Sequence, residues 1–130
     1  MNGRIRILAL LTISYTYTCC SSGIYQDVTA HFYCVSGKYN RELQLYINGE
    51  FQSRIPFSDK KYDCDSDSLN SHTYSYHFKQ GTYEIKALTF SGELVSWGIL
   101  KFTNGDMELI GKAGAMDSRQ NSDCLTVEIQ

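Results

Sequence analysis

Three aspartates alternate in the segment DCDSDS, with the spacing at which carboxylates open a calcium-binding loop. They are Asp63, Asp65 and Asp67. The remainder of that loop pattern is missing, because its sixth position is Ser68 where glycine is required and its twelfth is Tyr74 where glutamate is required. We therefore expect no metal site, and we treat the three aspartates as candidates for contacting a partner from an acidic loop.

Patterns for catalysis are missing elsewhere in the sequence. There is no Gly-x-Ser-x-Gly elbow to present a nucleophilic serine. His31, His72 and His77 lack the spacing of zinc ligands. A pairing of Cys34 with His31 stays open, although a structural cysteine is more common in an exported domain of this size. We predict no catalytic residues, no cofactor and no enzymatic activity.

The five cysteines fall into two groups. Cys19 and Cys20 follow an N-terminal apolar run, whereas Cys34, Cys64 and Cys124 lie in the rest of the chain. An odd number in the second group predicts one disulfide and one free thiol, provided that the compartment permits disulfides. All three pairings are possible, and we favour Cys64 with Cys124 because both lie in polar, loop-like segments.

The N-terminal segment has the order of features found in secretory signals. Arg4 and Arg6 precede an apolar run over residues 7–13, and small and polar residues follow. A membrane-spanning helix would need about 20 apolar residues, so this run is too short for one. We expect export, although the same residues could instead form a first strand or a buried helix.

The two adjacent cysteines resemble the acylated cysteine of bacterial lipoproteins. We favour Cys20 over Cys19 for lipidation, and cleavage by an ordinary signal peptidase stays an alternative. The expected organisation is a leader over residues 1–20, a tether over 21–26 and a folded domain over 27–130. This organisation places the domain in the bacterial cell envelope, in the periplasm or on the outer surface, with a lipid as its contact with the membrane.

Composition favours one strand-rich domain. Ten tyrosines and six phenylalanines stand against one proline among 130 residues. The formal charge is −2 and the sequence has no long basic run, which argues against a nucleic-acid partner. Apolar residues alternate with polar ones in short segments, which predicts strands over residues 27–36, 43–57, 74–78, 83–88, 94–102, 107–110 and 125–129.

The polar segments 58–73 and 111–123 are predicted to be loops. No segment after the leader has a sustained helical period. The predicted fold is therefore a single small antiparallel β-sandwich.

Residues 41–57 are predicted to form a β-hairpin around Asn48-Gly49, which is a strong turn signal. A two-residue turn would place polar residues of one strand opposite apolar residues of the other. We therefore prefer a three-residue loop, which pairs Leu45 with Phe51. Tyr46 then lies on the opposite face and is the aromatic ring expected to be exposed, whereas we place Tyr76, Phe78 and Trp97 in the core.

The stretches LYINGEFQSRIPF, at residues 45–57, and GTYEIKALTFSGELVSWGILKF, at residues 81–102, carry a resemblance to a known family. Together they resemble the PEGA-type and related immunoglobulin-like β-sandwich modules of bacterial exported lipoproteins. In those modules an Asp-Gly or Asn-Gly turn precedes a proline-containing segment, and a Gly-x-Tyr-x-Ile strand follows. The likeness covers residues 43–102 and implies a non-catalytic envelope module, without defined site residues.

We accordingly expect a lipid-anchored module with an interaction or structural role, whose partner is a protein or a glycan of the cell envelope. One alternative is a small periplasmic inhibitor or immunity protein, which would bind an enzyme through the acidic loop at residues 58–72. Another is a carbohydrate-binding domain, which would use Tyr46 because exposed aromatic rings stack on sugars and supply contact area at low entropic cost.

Overall fold

The computed structural model of the chain describes residues 26–35 and 42–130. The predicted leader and most of the predicted tether, with the lipidation candidates Cys19 and Cys20, lie outside the described residues. Within the described ranges the chain forms ten strands and one short helix, in the order β1 (Val28–Val35), β2 (Leu43–Ile47), β3 (Glu50–Ile55), β4 (Phe57–Ser58), α1 (Leu69–His72), β5 (Tyr74–Phe78), β6 (Gly81–Leu88), β7 (Leu94–Thr103), β8 (Asp106–Ala113), β9 (Met116–Asn121) and β10 (Cys124–Ile129).

The strands form two five-stranded sheets that pack face to face, which confirms the all-β sandwich. In sheet A, β10 pairs with one edge of β1 and β9 lies beyond β10, while β5 and β4 share the other edge of β1. Sheet B has the order β3-β2-β6-β7-β8, with every pair antiparallel.

Sheet A is mixed, so the prediction of a wholly antiparallel fold was wrong. Strand β1 runs parallel to both β10 and β4. A parallel pair needs a long connection between its strands, and nearly the whole domain lies between β1 and β10. The pairing of the first and last strands therefore depends on tertiary structure, which local sequence patterns do not report.

The core lies between the sheets and is apolar. Phe78 of sheet A stacks on Phe102 of sheet B with ring centroids 4.6 Å apart, so aromatic contacts join the two layers. Phe78 is a core residue as predicted, and Tyr76 packs partly buried at the margin. The core consists of Val28, Ala30, Phe32, Cys34, Leu43, Leu45, Ile47, Ile55, Phe78, Ile85, Ala87, Leu100, Phe102, Met116, Leu125, Val127 and Ile129.

Strand β1 is buried on both faces, whereas its alternating pattern predicted burial on one face. His31 and Tyr33 point away from the core but are nevertheless buried. The segment 59–73 covers them, and its Tyr62 and Leu69 pack against Tyr33 in a second small cluster. The predicted loop is therefore a structured cover for sheet A that includes helix α1.

The first hairpin has the two-residue turn that the sequence analysis rejected. Asn48 and Gly49 both have positive φ, at 52° and 81°, as the common two-residue hairpin turn requires. A bulge at Gln52 then shifts the register, so that Tyr46 faces Phe51 while Leu45 faces Ser53. The predicted pairing of Leu45 with Phe51 is wrong; the bulge instead brings Ile55 opposite Leu43, and both of these side chains are buried.

The segment 111–123 is mostly strand, so its prediction as a loop was wrong. Strand β8 continues to Ala113 and β9 spans Met116–Asn121. Gly114 lies between them with a φ of 79°, and an added Cβ would collide with the carbonyl oxygen of Val95. Strand β9 is polar because it is an edge strand with one buried apolar side chain, Met116, and this polarity hid it from pattern analysis.

Candidate functional site

The outer face of sheet A is built around the buried carboxylate of Glu128, which is 1% exposed. Strand β10 places Glu128 opposite Tyr33 of β1, and the Tyr33 hydroxyl donates to Glu128 Oε2 at 3.0 Å. Gln130 Nε2 donates to Oε1 at 2.6 Å. Burial raises the pKa of Tyr33, so this phenol stays protonated and able to donate. A buried carboxylate is costly unless it is paired, and these donors satisfy it.

Arg119 connects this carboxylate to the covering segment. Its Nη2 donates to the carbonyl oxygen of Tyr62 at 2.9 Å and to the Tyr33 hydroxyl at 3.1 Å, and lies 3.8 Å from Glu128 Oε2. Its Nη1 lies 3.2 Å from Asp63 Oδ1. One guanidinium therefore binds both the sheet and the segment above it, in the manner that suits the planar donor fork of arginine.

The Cys64–Cys124 disulfide fastens the same segment to the start of β10. This is the pairing that the sequence analysis favoured. The remaining cysteine, Cys34, points into the core, and burial raises the pKa of its thiol. Because Cys34 and His31 lie on opposite faces of β1, the cysteine–histidine pair left open by the sequence is not formed.

The three candidate aspartates are exposed but not clustered around one point. Asp63 and Asp65 line an open cavity of about 200 Å³ together with Arg119, Asn121 and Thr126, whereas Asp67 is not part of its wall. In the described parts of the chain, no group of three or more histidine, cysteine, aspartate or glutamate side chains could hold a metal ion. The cavity wall instead contains the Asp63–Arg119 ion pair.

His31 lies under the covering segment on the outer face of sheet A. Its Nδ1 is 3.0 Å from Ser75 Oγ and 3.4 Å from Thr73 Oγ1. Burial lowers the pKa of His31, and the charge of nearby His77 lowers it further. A neutral His31 fits this environment, and its contacts with two hydroxyls explain why it is tolerated there.

The outer face of sheet B carries a continuous row of side chains across all five strands. The pairing registers align Phe51, Tyr46, Lys86, Trp97 and Ala113, from β3 to β8. We call these five residues the aromatic row. At about 4.8 Å between neighbouring strands, the row extends roughly 19 Å across the sheet.

The rings of the aromatic row are held in place by contacts within the face. Tyr46 and Phe51 meet edge to face with ring centroids 5.7 Å apart. Glu84 receives a hydrogen bond from Trp97 Nε1 at 3.0 Å and lies 3.6 Å from Lys86 Nζ. The Trp97 ring also lies above Gly111, where an added Cβ would come within 3.1 Å of it. The row is thus ordered in the folded chain, which reduces the entropy lost on binding.

Large apolar side chains remain exposed on this face. Phe51 is 54% exposed, Ile110 in strand β8 is 51% exposed, and Trp97 and Ile99 are partly exposed. A cluster of this kind on an open sheet is typical of a binding surface. By contrast, the large apolar residues of the covering segment, Tyr62 and Leu69, are buried against sheet A.

Tyr46 lies on the outer face, where the sequence predicted it. Trp97 was expected in the core and that prediction was wrong, because Ser96, Gly98 and Leu100 are the residues of β7 that point inward. Phe51 was placed on the core side through the mistaken register. The signal for Trp97 was ambiguous, since both alternating sets of β7 contain apolar residues.

Within the described residues, no helix is long and apolar enough to span a membrane. Comparison of the chain with protein-family models, with curated proteins and with solved structures found no match in any of the three.

Proposed function

We propose that this chain is a non-enzymatic interaction module of the bacterial cell envelope that binds a protein through the outer face of sheet B. The observation that carries the proposal is the aromatic row, in which an exposed Phe51 ring and the partly exposed Tyr46 and Trp97 rings lie on an open sheet. Aromatic residues at the centre of a face are the groups that contribute most to protein–protein binding.

A protein partner fits the geometry of the row better than a glycan. Sugars bind to flat aromatic platforms, whereas the Tyr46 and Phe51 rings are inclined at 60° to each other. An inclined pair offers ridges and hollows to side chains of a partner. We therefore prefer a protein ligand over the carbohydrate that Tyr46 alone suggested.

Export and lipid anchoring through Cys20 belong to the same proposal. The order of charged and apolar residues at the N-terminus supports export, and the Cys64–Cys124 disulfide fits an oxidising compartment. The immunoglobulin-like type of the sandwich is likewise proposed, from two packed sheets of short strands and the resemblance over residues 43–102.

The test is capture of envelope proteins by the tagged chain, in which Phe51→Ser is compared with Phe90→Ser. Phe90 lies in the turn after β6, outside the aromatic row, and is 50% exposed, close to the 54% of Phe51; its ring contacts the Arg54 guanidinium, whereas the Phe51 ring contacts Tyr46. We expect Phe51→Ser to lose the captured protein and Phe90→Ser to retain it. Equal capture by both variants would contradict binding through the aromatic row.

A second candidate function, inhibition of an enzyme by the covering segment, is favoured by one observation. The segment is fixed at Cys64 by the disulfide and at Tyr62 by Arg119, and it presents Asp65 and Asp67 to solvent. Rigid loops are the binding elements of many inhibitors, because little entropy is lost when they bind. The double variant Asp65→Ala, Asp67→Ala leaves the Asp63–Arg119 ion pair in place; undiminished capture by it would remove this candidate.

A further inference from the structure

The basic residues around the aromatic row are paired with acidic residues of the same face. Lys86 lies 3.6 Å from Glu84, and Arg54 lies 3.9 Å from Glu42. Lys101 stands directly opposite Glu108 in the register of β7 and β8. Each of these three basic residues has an acidic residue beside it on the face, so the row would meet a second copy of itself through charges that are already paired.

The aromatic row is also arranged around its centre in a way that suits two-fold symmetry. Lys86 belongs to β6, the middle strand of sheet B, with two strands on each side. A two-fold axis that runs along β6 at the surface would place Trp97 over Tyr46 of the partner subunit. It would also place the small Ala113 over the large Phe51 of the partner subunit, which is the self-complementary matching that an isologous interface requires.

From these observations we infer that the protein partner is a second copy of this chain, which packs its aromatic row on the first across a two-fold axis parallel to the strands. The inference rests on the proposed function and specifies its partner. The two Lys86 side chains meet near the axis as ion pairs with Glu84, which avoids the contact of two unpaired cations.

The direction of the axis agrees with the position of Gln26, the first residue that the structure describes. Gln26 lies against Gly105 in the turn between β7 and β8, at one end of the strands. Rotation about an axis parallel to the strands keeps both copies of Gln26 at the same end. Two chains anchored in one membrane need this arrangement, whereas an axis across the strands would place the two starts at opposite ends.

The first experiment measures the molar mass of the full chain, as a bacterial host processes it, by light scattering in excess detergent at up to about 0.1 mM. We expect a dimer that dissociates on dilution. Its dissociation constant should rise about tenfold in Phe51→Ser and stay unchanged in Phe90→Ser. A monomer at every concentration would overturn the inference. If the chain is monomeric but Phe51→Ser still abolishes capture of an envelope protein, the proposed function stands with a different partner. If the chain is monomeric and Phe51→Ser leaves capture unaffected, the proposed function and the inferred dimer are both wrong.

The second experiment tests the axis by exchanging a large and a small residue. Ala113→Phe should disrupt the dimer, because the new ring would meet Phe51 of the partner subunit. The double variant Phe51→Ala, Ala113→Phe should restore association, since it exchanges the two sizes across the interface. Association that is lost in the single variant and stays lost in the double variant would overturn the proposed axis.

Discussion

The two outer faces of this sandwich differ in how they are completed. On sheet A, the chain's own segment 59–73 covers β1 and is fastened by a disulfide, by Arg119 and by the small cluster of Tyr33, Tyr62 and Leu69. On sheet B, Phe51 and Ile110 keep about half of their surface exposed. Both faces carry large side chains, but intramolecular packing covers those of sheet A to a far greater extent.

The difference separates residues that stabilise the fold from residues available for binding. Glu128 and Tyr33 would be costly to bury without their partners, so the cover on sheet A is part of the folded state. In the aromatic row, Trp97 and Lys86 are paired within the face, through Glu84, and the row has no covering segment among the described residues. The comparison therefore predicts that substitutions on sheet A reduce stability and that substitutions in the row reduce binding.

The largest effect is expected from removing the disulfide with Cys64→Ser, Cys124→Ser. The bond joins residues 60 apart in sequence, and closing a loop of this length restricts the unfolded chain by about 4 kcal/mol. Denaturant unfolding should show that the free energy of unfolding falls by about this amount, with sheet B still formed at low denaturant. A loss below about 1 kcal/mol would mean that the other contacts alone hold the segment on sheet A.

A smaller loss is expected from Tyr33→Phe, which removes the hydroxyl that donates to the buried Glu128. A buried acceptor that loses a donor typically costs about 1 to 3 kcal/mol. The matched control is Tyr46→Phe, in which the same hydroxyl is removed from the partly exposed aromatic row. Denaturant unfolding should show a larger loss of unfolding free energy for Tyr33→Phe than for Tyr46→Phe. Equal losses would contradict the proposed difference between the two faces.

The effect of His31 should appear as a dependence of stability on pH. The pKa of His31 is lowered in the folded chain, so the unfolded chain binds the proton more readily. Stability should therefore fall as the pH is lowered through the ordinary histidine pKa of about 6.5 toward the lower pKa of the folded chain. One such group contributes a slope no steeper than about 1.4 kcal/mol per pH unit. Unfolding measured from pH 7.5 to 5 should show a weaker dependence in His31→Gln than in the parent chain; identical dependences would exclude His31 as the source.

Much of the fold was predictable because its signals are local. Asn48-Gly49 and Asn104-Gly105 mark hairpin turns, and alternation locates most of the strands. The pairing of Cys64 with Cys124 was also predicted correctly, from the position of both cysteines in polar segments. The turns and strands depend on neighbouring residues and are therefore visible in one sequence.

The features that the sequence analysis missed depend on distant contacts. The bulge at Gln52 brings Ile55 of β3 opposite Leu43 of β2 in the core, and the cover on sheet A depends on two isolated apolar residues, Tyr62 and Leu69, in a polar segment. Of the binding candidates, Tyr46 could be placed from alternation. Its neighbours Phe51 and Trp97 could not, because their orientation follows from a register that the sequence leaves ambiguous.

The smallest effect on stability is expected for Phe51→Ser, the substitution for which we predict the loss of binding. The ring is about half exposed on an edge strand, and its contact with Tyr46 is at the surface. Surface changes of this kind stay within about 0.5 kcal/mol, so denaturant unfolding of the dilute variant should match the parent chain. A loss comparable to that of Tyr33→Phe would show that the aromatic row stabilises the fold, and its loss of capture would then report unfolding instead of a missing contact.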